Sequence, residues 1–244
     1  MTDAKLTQQQ QGARLPMART DADIDALTHL TDAEKAVAKK NQKRVPPSDG
    51  WFLLGNDPEL QAIARIDEIA SIVLLEPDTQ MIPGGPMNLM CLIVARHFGN
   101  EWMFAAMAKV AVNMAKATGQ KDFDPVQFGM LDFPDSMIWT DVQRLTIKFT
   151  HACLNNTMTD ELFEQAREIW GEKRILRYIR WMSYVQFWAM VQNACNLKWV
   201  PTVGVGEKQT VLPPDPKERL DFDEKVKDGL LSLWDSMATA AFMA

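Results

Sequence analysis

An acid, an imidazole and a guanidinium fall close together at one point of this 244-residue chain: Arg96, His97 and Glu101, within Ala95–Ala117, ARHFGNEWMFAAMAKVAVNMAKA. A glutamate at a helix start among bulky apolar neighbours can have a raised pKa and work as a general acid or base. Turned to solvent, the same residue is only a helix N-terminal charge. The sequence leaves both readings of Glu101 open. His97, one turn earlier, is the natural proton shuttle near neutral pH, or else a histidine satisfied at a helix C-terminus. Arg96 can hold a carboxylate or phenolate, or sit in a structural salt bridge. His151 faces a pocket or hydrogen-bonds internally. These residues give Glu101 and His97 as candidate catalytic groups and Arg96 as a candidate substrate-binding group.

A second set of residues has the character of a pocket wall. Past Glu101, Met103, Met107, Val110 and Met114 recur at helical spacing, with Trp102 and Phe104 beside them. Farther on, Tyr184, Gln186, Trp188, Gln192 and Asn193 are polar or amphipathic groups in apolar surroundings, and buried amides must be paired. The chain has eight tryptophans and fifteen methionines, enough rings and thioethers for an adaptable site for a flat apolar molecule. The same residues suit a subunit interface. Trp102, Met103, Met107, Tyr184, Trp188 and Gln192 are the candidate substrate-binding residues.

The elements that must position these groups are all helical. Thr31-Asp32-Ala33-Glu34 has capping-box spacing and opens a helix to about Gln42. Asp57-Pro58-Glu59 starts another, with Leu60, Ile63, Ile66, Ala70 and Val73 on its apolar face. Met87 to Phe98 is apolar nearly all round and predicts an interior helix ending at Gly99. Asn100 then caps the methionine-striped helix to about Ala117. After Ser136 an amphipathic helix carries Ile138, Val142, Leu145, Phe149 and Ala152. Thr159 caps a helix that stops at Gly171, and another runs from about Glu172 to Asn196. Pro201 to Pro216 is a strap, and a last helix buries Leu220, Val226, Leu230, Trp234 and Met237. No alternating strand pattern appears, so the fold class is all-α. Residues 1–45 read as a mobile arm and short helix, 46–199 as one helical domain, and 200–244 as a proline-rich strap with a C-terminal helix.

Composition narrows the function. The chain is 47% hydrophobic and 24% charged with net charge −6, and its cations are scattered, so a nucleic-acid partner is not expected. The apolar runs Thr79–Ala95 and Trp181–Leu197 are too short and too interrupted to span a bilayer, so no membrane partner is expected. Neither a Cys-x-x-Cys nor a His/Asp/Glu cluster with metal spacing is present. Neither a metal site nor a cofactor is expected. Cys91, Cys153 and Cys195 read as buried free thiols, and the N-terminus has no apolar core of a leader, so a cytoplasmic protein is expected.

From about Pro46 to Leu197 the chain resembles the carboxymuconolactone decarboxylase-like, alkylhydroperoxidase-like helical superfamily. Three segments carry the likeness: Trp51-Phe52-Leu53-Leu54 followed by Pro58-Glu59-Leu60; Ala95-Arg96-His97-Phe98-Gly99-Asn100-Glu101-Trp102; and Thr140–Asn196, above all Met158-Thr159-Asp160-Glu161-Leu162-Phe163. The resemblance implies a helical scaffold assembled as a homotrimer or hexamer, with its pocket against the helix that starts at Glu101. Redox members carry a Cys-x-x-Cys there, and this chain does not, which excludes dithiol peroxidase chemistry. Non-redox members often keep a second acid and a histidine where Met103 and Met107 stand here. The expected function is a cofactor-independent acid/base lyase, decarboxylase or isomerase acting on an aromatic or apolar small molecule, in aromatic-compound catabolism. The alternative is a non-catalytic ligand-binding or structural oligomeric member.

Overall fold

Helix-start chemistry sets most of the architecture. The computed structural model describes residues 12–45, 48–74, 83–118 and 125–198, with the side chains of 72, 73, 113–118 and 125 excepted. Among these it contains nine helices and no strand: α1 Asp21–Asp25, α2 Asp32–Gln42, α3 Asp49–Leu54, α4 Pro58–Leu74, α5 Pro86–His97, α6 Glu101–Thr118, α7 Pro125–Gly129, α8 Asp141–Asn155 and α9 Asp160–Ala194. The all-α class is thus observed. None of the described helices is long and apolar enough to cross a membrane. The strap and last helix after residue 200, the start of the N-terminal arm, and the side chains of Val73 and Met114 lie outside the described residues.

Helix α5 is the centre. Every residue from Met87 to Ala95 is buried, and α6, α8 and α9 pack around it. Gly99 then takes φ +60, a backbone region that costs glycine little, and the chain turns back into α6. Asn100 caps that helix from a buried position. Its Oδ1 accepts from the Met103 backbone N–H at 2.6 Å, while its Nδ2 donates to the Ala189 carbonyl at 3.1 Å. One side chain therefore fixes both the start of α6 and its distance from α9. The expected break at Gly171 is present (φ 71) and divides α9 into two segments across a kink.

Three expectations are corrected. Residues 12–30 are no free arm: Met17, Ala18, Ile24, Leu27 and Leu30 are buried, and Arg14 N–H donates to the Cys195 carbonyl at 3.0 Å. Arg19 pairs with the fully buried Asp49 at 3.1 Å, tying this segment to α3. Helix α4 buries a different face from the expected one. Ile63 and Ile66 are 62% and 46% exposed, whereas Gln61, Ala64 and Ser71 face inward. The two stripes are one residue apart, about 100° around the helix. Gln61 decides between them by donating to the Trp51 carbonyl at 2.8 Å. Finally, α8 begins after Ile138, because Thr140 and Gln143 form a capping box, and Ile138 and Val142 are left partly exposed.

Candidate functional site

Helices α3, α4, α5, α6 and α9 leave a cavity of about 140 Å³ between them. Ser48, at the N-cap of α3, with Gly50 and Trp51 forms one wall, Glu68 of α4 and Cys91 of α5 the next. Trp102, Met103, Met107 and Val110 line it from α6. From α9 come Trp181, Tyr184, Val185, Trp188 and Gln192, a spacing that keeps them on one helix face. The rings lock each other. Trp181 and Tyr184 stack with centroids 5.5 Å apart, and Trp51 meets Trp188 edge-on at 4.8 Å. Trp181 is further fixed by donating its indole N–H to the Met87 carbonyl at 3.2 Å.

The candidate residues divide cleanly by position. Trp102, Met103, Met107, Tyr184, Trp188 and Gln192 come together around this one cavity. Glu101, His97 and Arg96 are not among its lining residues. Glu101 is exposed, because the turn at Gly99 and Asn100 points Asn100 inward and leaves the next residue outside. His97 is exposed too, its ring against Phe98. Arg96 pairs with Asp132 at 3.0 Å and lies over the Phe104 ring. His151 donates its Nε2–H to the Leu131 carbonyl, 3.0 Å away, and stands outside the cavity. Of the readings left open, the structure thus has Glu101 as an exposed helix-start charge and His97 as an exposed residue at a helix C-terminus, both outside the cavity.

The carboxylate that does line the cavity is Glu68. Burial raises its pKa above the ordinary value, and the Arg65 guanidinium, ion-paired to it, works in the opposite direction. Arg65 in turn lies over the Trp51 ring, 5.9 Å from its centroid. Burial, then the negative charge of Glu68, holds the Tyr184 hydroxyl well above its usual range, so it stays protonated and able to donate at neutral pH. Cys91 is fully buried in the wall and its pKa is likewise raised by burial. Sequence reasoning missed Glu68. The available signal was a charged pair, Asp67-Glu68, set inside the otherwise apolar run Ile66 to Leu74, with Arg65 one turn before. Among the described residues, no group of three or more His, Cys, Asp and Glu is placed to hold a metal ion.

Comparison of the chain with known protein families, with curated proteins and with solved structures gives no match.

Proposed function

We propose that the chain binds a small aromatic or otherwise apolar molecule in this cavity and moves a proton on it without a cofactor. The reaction class is that of a lyase, decarboxylase or isomerase, with Glu68 as the group that carries the proton. The observation that carries this reading is a carboxylate of raised pKa on the wall of a cavity whose other lining is mostly aromatic, thioether and aliphatic, with Ser48, Cys91 and Gln192 beside them. In an isomerisation, ionised Glu68 takes a proton from a carbon made acidic by a neighbouring carbonyl. The electron pair moves onto the carbonyl oxygen, and the proton returns at a second carbon, so nothing is gained or lost. Tyr184, held protonated, supplies a donor to the oxygen on which charge develops, and Arg65 keeps the carboxylate in place. A decarboxylation uses the reverse state: the bond to carbon dioxide breaks, and protonated Glu68 delivers its proton to the carbon left behind.

The likeness of residues 46–197 to the carboxymuconolactone decarboxylase-like superfamily supports the same use of the scaffold. We extend the reading to a cytoplasmic homo-oligomer, a trimer or a multiple of it. The free state of all three cysteines supports the compartment. The exposed apolar residues Ile63 and Ile66 of α4, with Leu176 and Met190 of α9, support self-association.

One observation favours a second reading, a ligand-binding protein without turnover: thioethers of Met103 and Met107 line the cavity where related proteins often keep an acid and a histidine, and Glu101 stands in solvent. Glu68→Gln separates the two. It keeps shape and can still accept from Arg65, but it cannot exchange a proton. Screening ring-containing acids and ketones for turnover by wild type, then repeating with Glu68→Gln, is the experiment. Turnover that falls while ligand affinity stays supports the enzyme; turnover unchanged in Glu68→Gln overturns the assignment of the proton to this residue.

A further inference from the structure

Among the described residues lining the cavity, Gln192 is the one with a fully buried side-chain oxygen that lacks a partner. It is 1% exposed, and among the described residues its Oε1 accepts no hydrogen bond. Gln61 and Asn88 also have an oxygen without a donor, but their amide nitrogens are held by the Trp51 and Met107 carbonyls, and neither lines the cavity. A buried amide oxygen left without a partner is costly, so a side chain kept this way next to a cavity is shaped for something that enters it.

The surroundings say what enters. The Gln192 Cα lies eight residues beyond that of Tyr184 on α9, about 12 Å along the helix axis. Glu68 belongs to the Tyr184 level, since its charge acts on that hydroxyl and its neighbour Asp67 is ion-paired to Arg180. The cavity thus has a carboxylate near one end and an amide near the other, with Trp51, Trp188 and Met103 among the groups between. Residue 50 has no side chain at the amide end. A Cβ there would lie 3.0 Å from Trp188 Cζ3 and 3.4 Å from Gln192 Nε2, so glycine leaves both groups their present positions. The volume of about 140 Å³ matches a single ring, being close to the ~150 Å³ of an apolar cavity known to take benzene.

We propose that Gln192 selects the ligand by accepting a hydrogen bond from a hydroxyl or N–H carried on one planar ring. The ligand class is a phenol or an N–H heteroaromatic whose donor points at Gln192 and whose opposite edge faces Glu68. This rests on the reading of the cavity as a small-molecule site, and not on the proton transfer assigned to Glu68. The amide with its oxygen and nitrogen exchanged would select an acceptor instead; a ring bearing only an acceptor therefore belongs in the test.

The test is a binding series on the full chain, followed by calorimetry and by the fluorescence of the tryptophans that line the site. The probes are phenol, anisole and toluene, which share a ring and differ in carrying a donor, an acceptor only, or neither. The proteins are wild type, Gln192→Leu and Glu68→Gln. Wild type is expected to bind phenol about tenfold more tightly than toluene or anisole. Gln192→Leu should erase that preference while toluene binds as well or better, and Glu68→Gln should retain it. Equal binding of all three probes to wild type, tighter binding of anisole than of phenol, or a preference that persists in Gln192→Leu overturns the role of Gln192 and leaves the cavity as a ligand site. Failure of all three to bind wild type at millimolar concentration overturns the cavity reading itself. Gln192→Met is the second variant if the leucine protein does not fold, and the wild-type series decides by itself whether a donor is preferred.

Discussion

Two regions of this molecule place a glutamate close to an arginine on or beside a helix, and they differ in everything that decides chemistry. At the start of α6, Glu101 follows Arg96 and His97; on α4, Glu68 follows Arg65 by one turn. The first acid stands in water at a helix N-terminus, outside the cavity. Its neighbour Arg96 is engaged with Asp132 on another segment. The second acid is held against a tryptophan-walled cavity, where burial raises its pKa and only Arg65 pulls the other way. An acid at the position a motif suggests is not thereby a useful acid. Burial next to a space that a ligand can fill is what makes proton exchange possible near neutral pH.

The strongest way to break this comparison is to remove the proton-carrying oxygen from each region in turn. With a substrate in hand, Glu68→Gln should lower turnover by about 10²–10⁴-fold, the usual worth of a positioned proton-transfer group. Glu101→Gln and His97→Gln should each leave it within a few-fold. Steady-state rates for the three variants check this. The reverse order would return the chemistry to the α5–α6 turn and make the cavity acid a structural charge.

The same turn is, however, essential to the scaffold, and a stability measurement separates the two roles. Asn100→Ala removes both the cap of α6 and the bond to the Ala189 carbonyl, leaving a buried backbone oxygen without that donor. Loss of a cap costs about 1 kcal/mol and loss of a buried hydrogen bond about 0.5–1.5 kcal/mol. Urea unfolding of Asn100→Ala should therefore show a loss of roughly 1.5–2.5 kcal/mol on those figures. Glu101→Ala, one residue on but exposed, should change stability by no more than about 0.5 kcal/mol. Equal losses would mean that Glu101 is packed in solution.

Much of this contrast was written in the chain, and the part that was not has a definite cause. Gly99-Asn100 after an apolar helix is a strong local signal, because positive φ and a short capping amide are needs that few residues meet, and both the break and the cap stand where that signal puts them. Met87–Ala95 is apolar nearly all round, Asn88 excepted, and had to be interior. Met103 and Met107 of α6 and Trp181, Tyr184 and Trp188 of α9 meet at one cavity because each lies on the inward stripe of its own helix. Periodicity fails on α4, where Leu60, Ile63 and Ile66 look like the inner face and are outside. A stripe of period 3.6 says that a helix has an apolar side, not that this side meets the core of the same chain. The inward face is set instead by Gln61, Ala64 and Ser71, polar or small residues whose value lies in a hydrogen bond to Trp51 and in close approach. Glu68 shares that face, which is why a search for acids in motifs passed over it.

The pH dependence sharpens the comparison at a smaller scale. Glu68 has a folded-state pKa raised above its unfolded value, so the fold prefers its protonated form. Its contribution to stability is fully present below the unfolded pKa of about 4.3. That contribution is lost as pH rises from there through the raised value. Wild type compared with Glu68→Gln across this window should show the wild type losing ground with rising pH, at no more than about 1.4 kcal/mol per pH step of one, the limit for a single proton. If Glu68 is the base, turnover should rise with pH over the same range, because only the ionised carboxyl accepts a proton; if it is the acid, turnover should fall there.

The smallest effects are expected from the sulfur atoms, although one of them sits on the same wall as Glu68. Cys91 is fully buried with its pKa raised by burial, and Cys153 is half-buried with its pKa pushed up to about 11 for the same reason. A thiolate is the reactive form, so neither should react with a disulfide reagent in the folded protein near neutral pH. Both should react at the rate of free cysteine once the chain is unfolded in urea. Replacing Cys91 with Ser should leave turnover within a few-fold, because a thiol kept protonated supplies neither a nucleophile nor a base, and a hydroxyl of nearly the same size keeps the wall. Replacing it with Ala instead enlarges the cavity next to Glu68 and should favour slightly larger rings without changing the pH profile. A loss of turnover in Cys91→Ser, with the fold and ligand affinity intact, would transfer the chemistry from the carboxylate to the sulfur, and the contrast drawn between the two glutamates would then describe only where the acids lie.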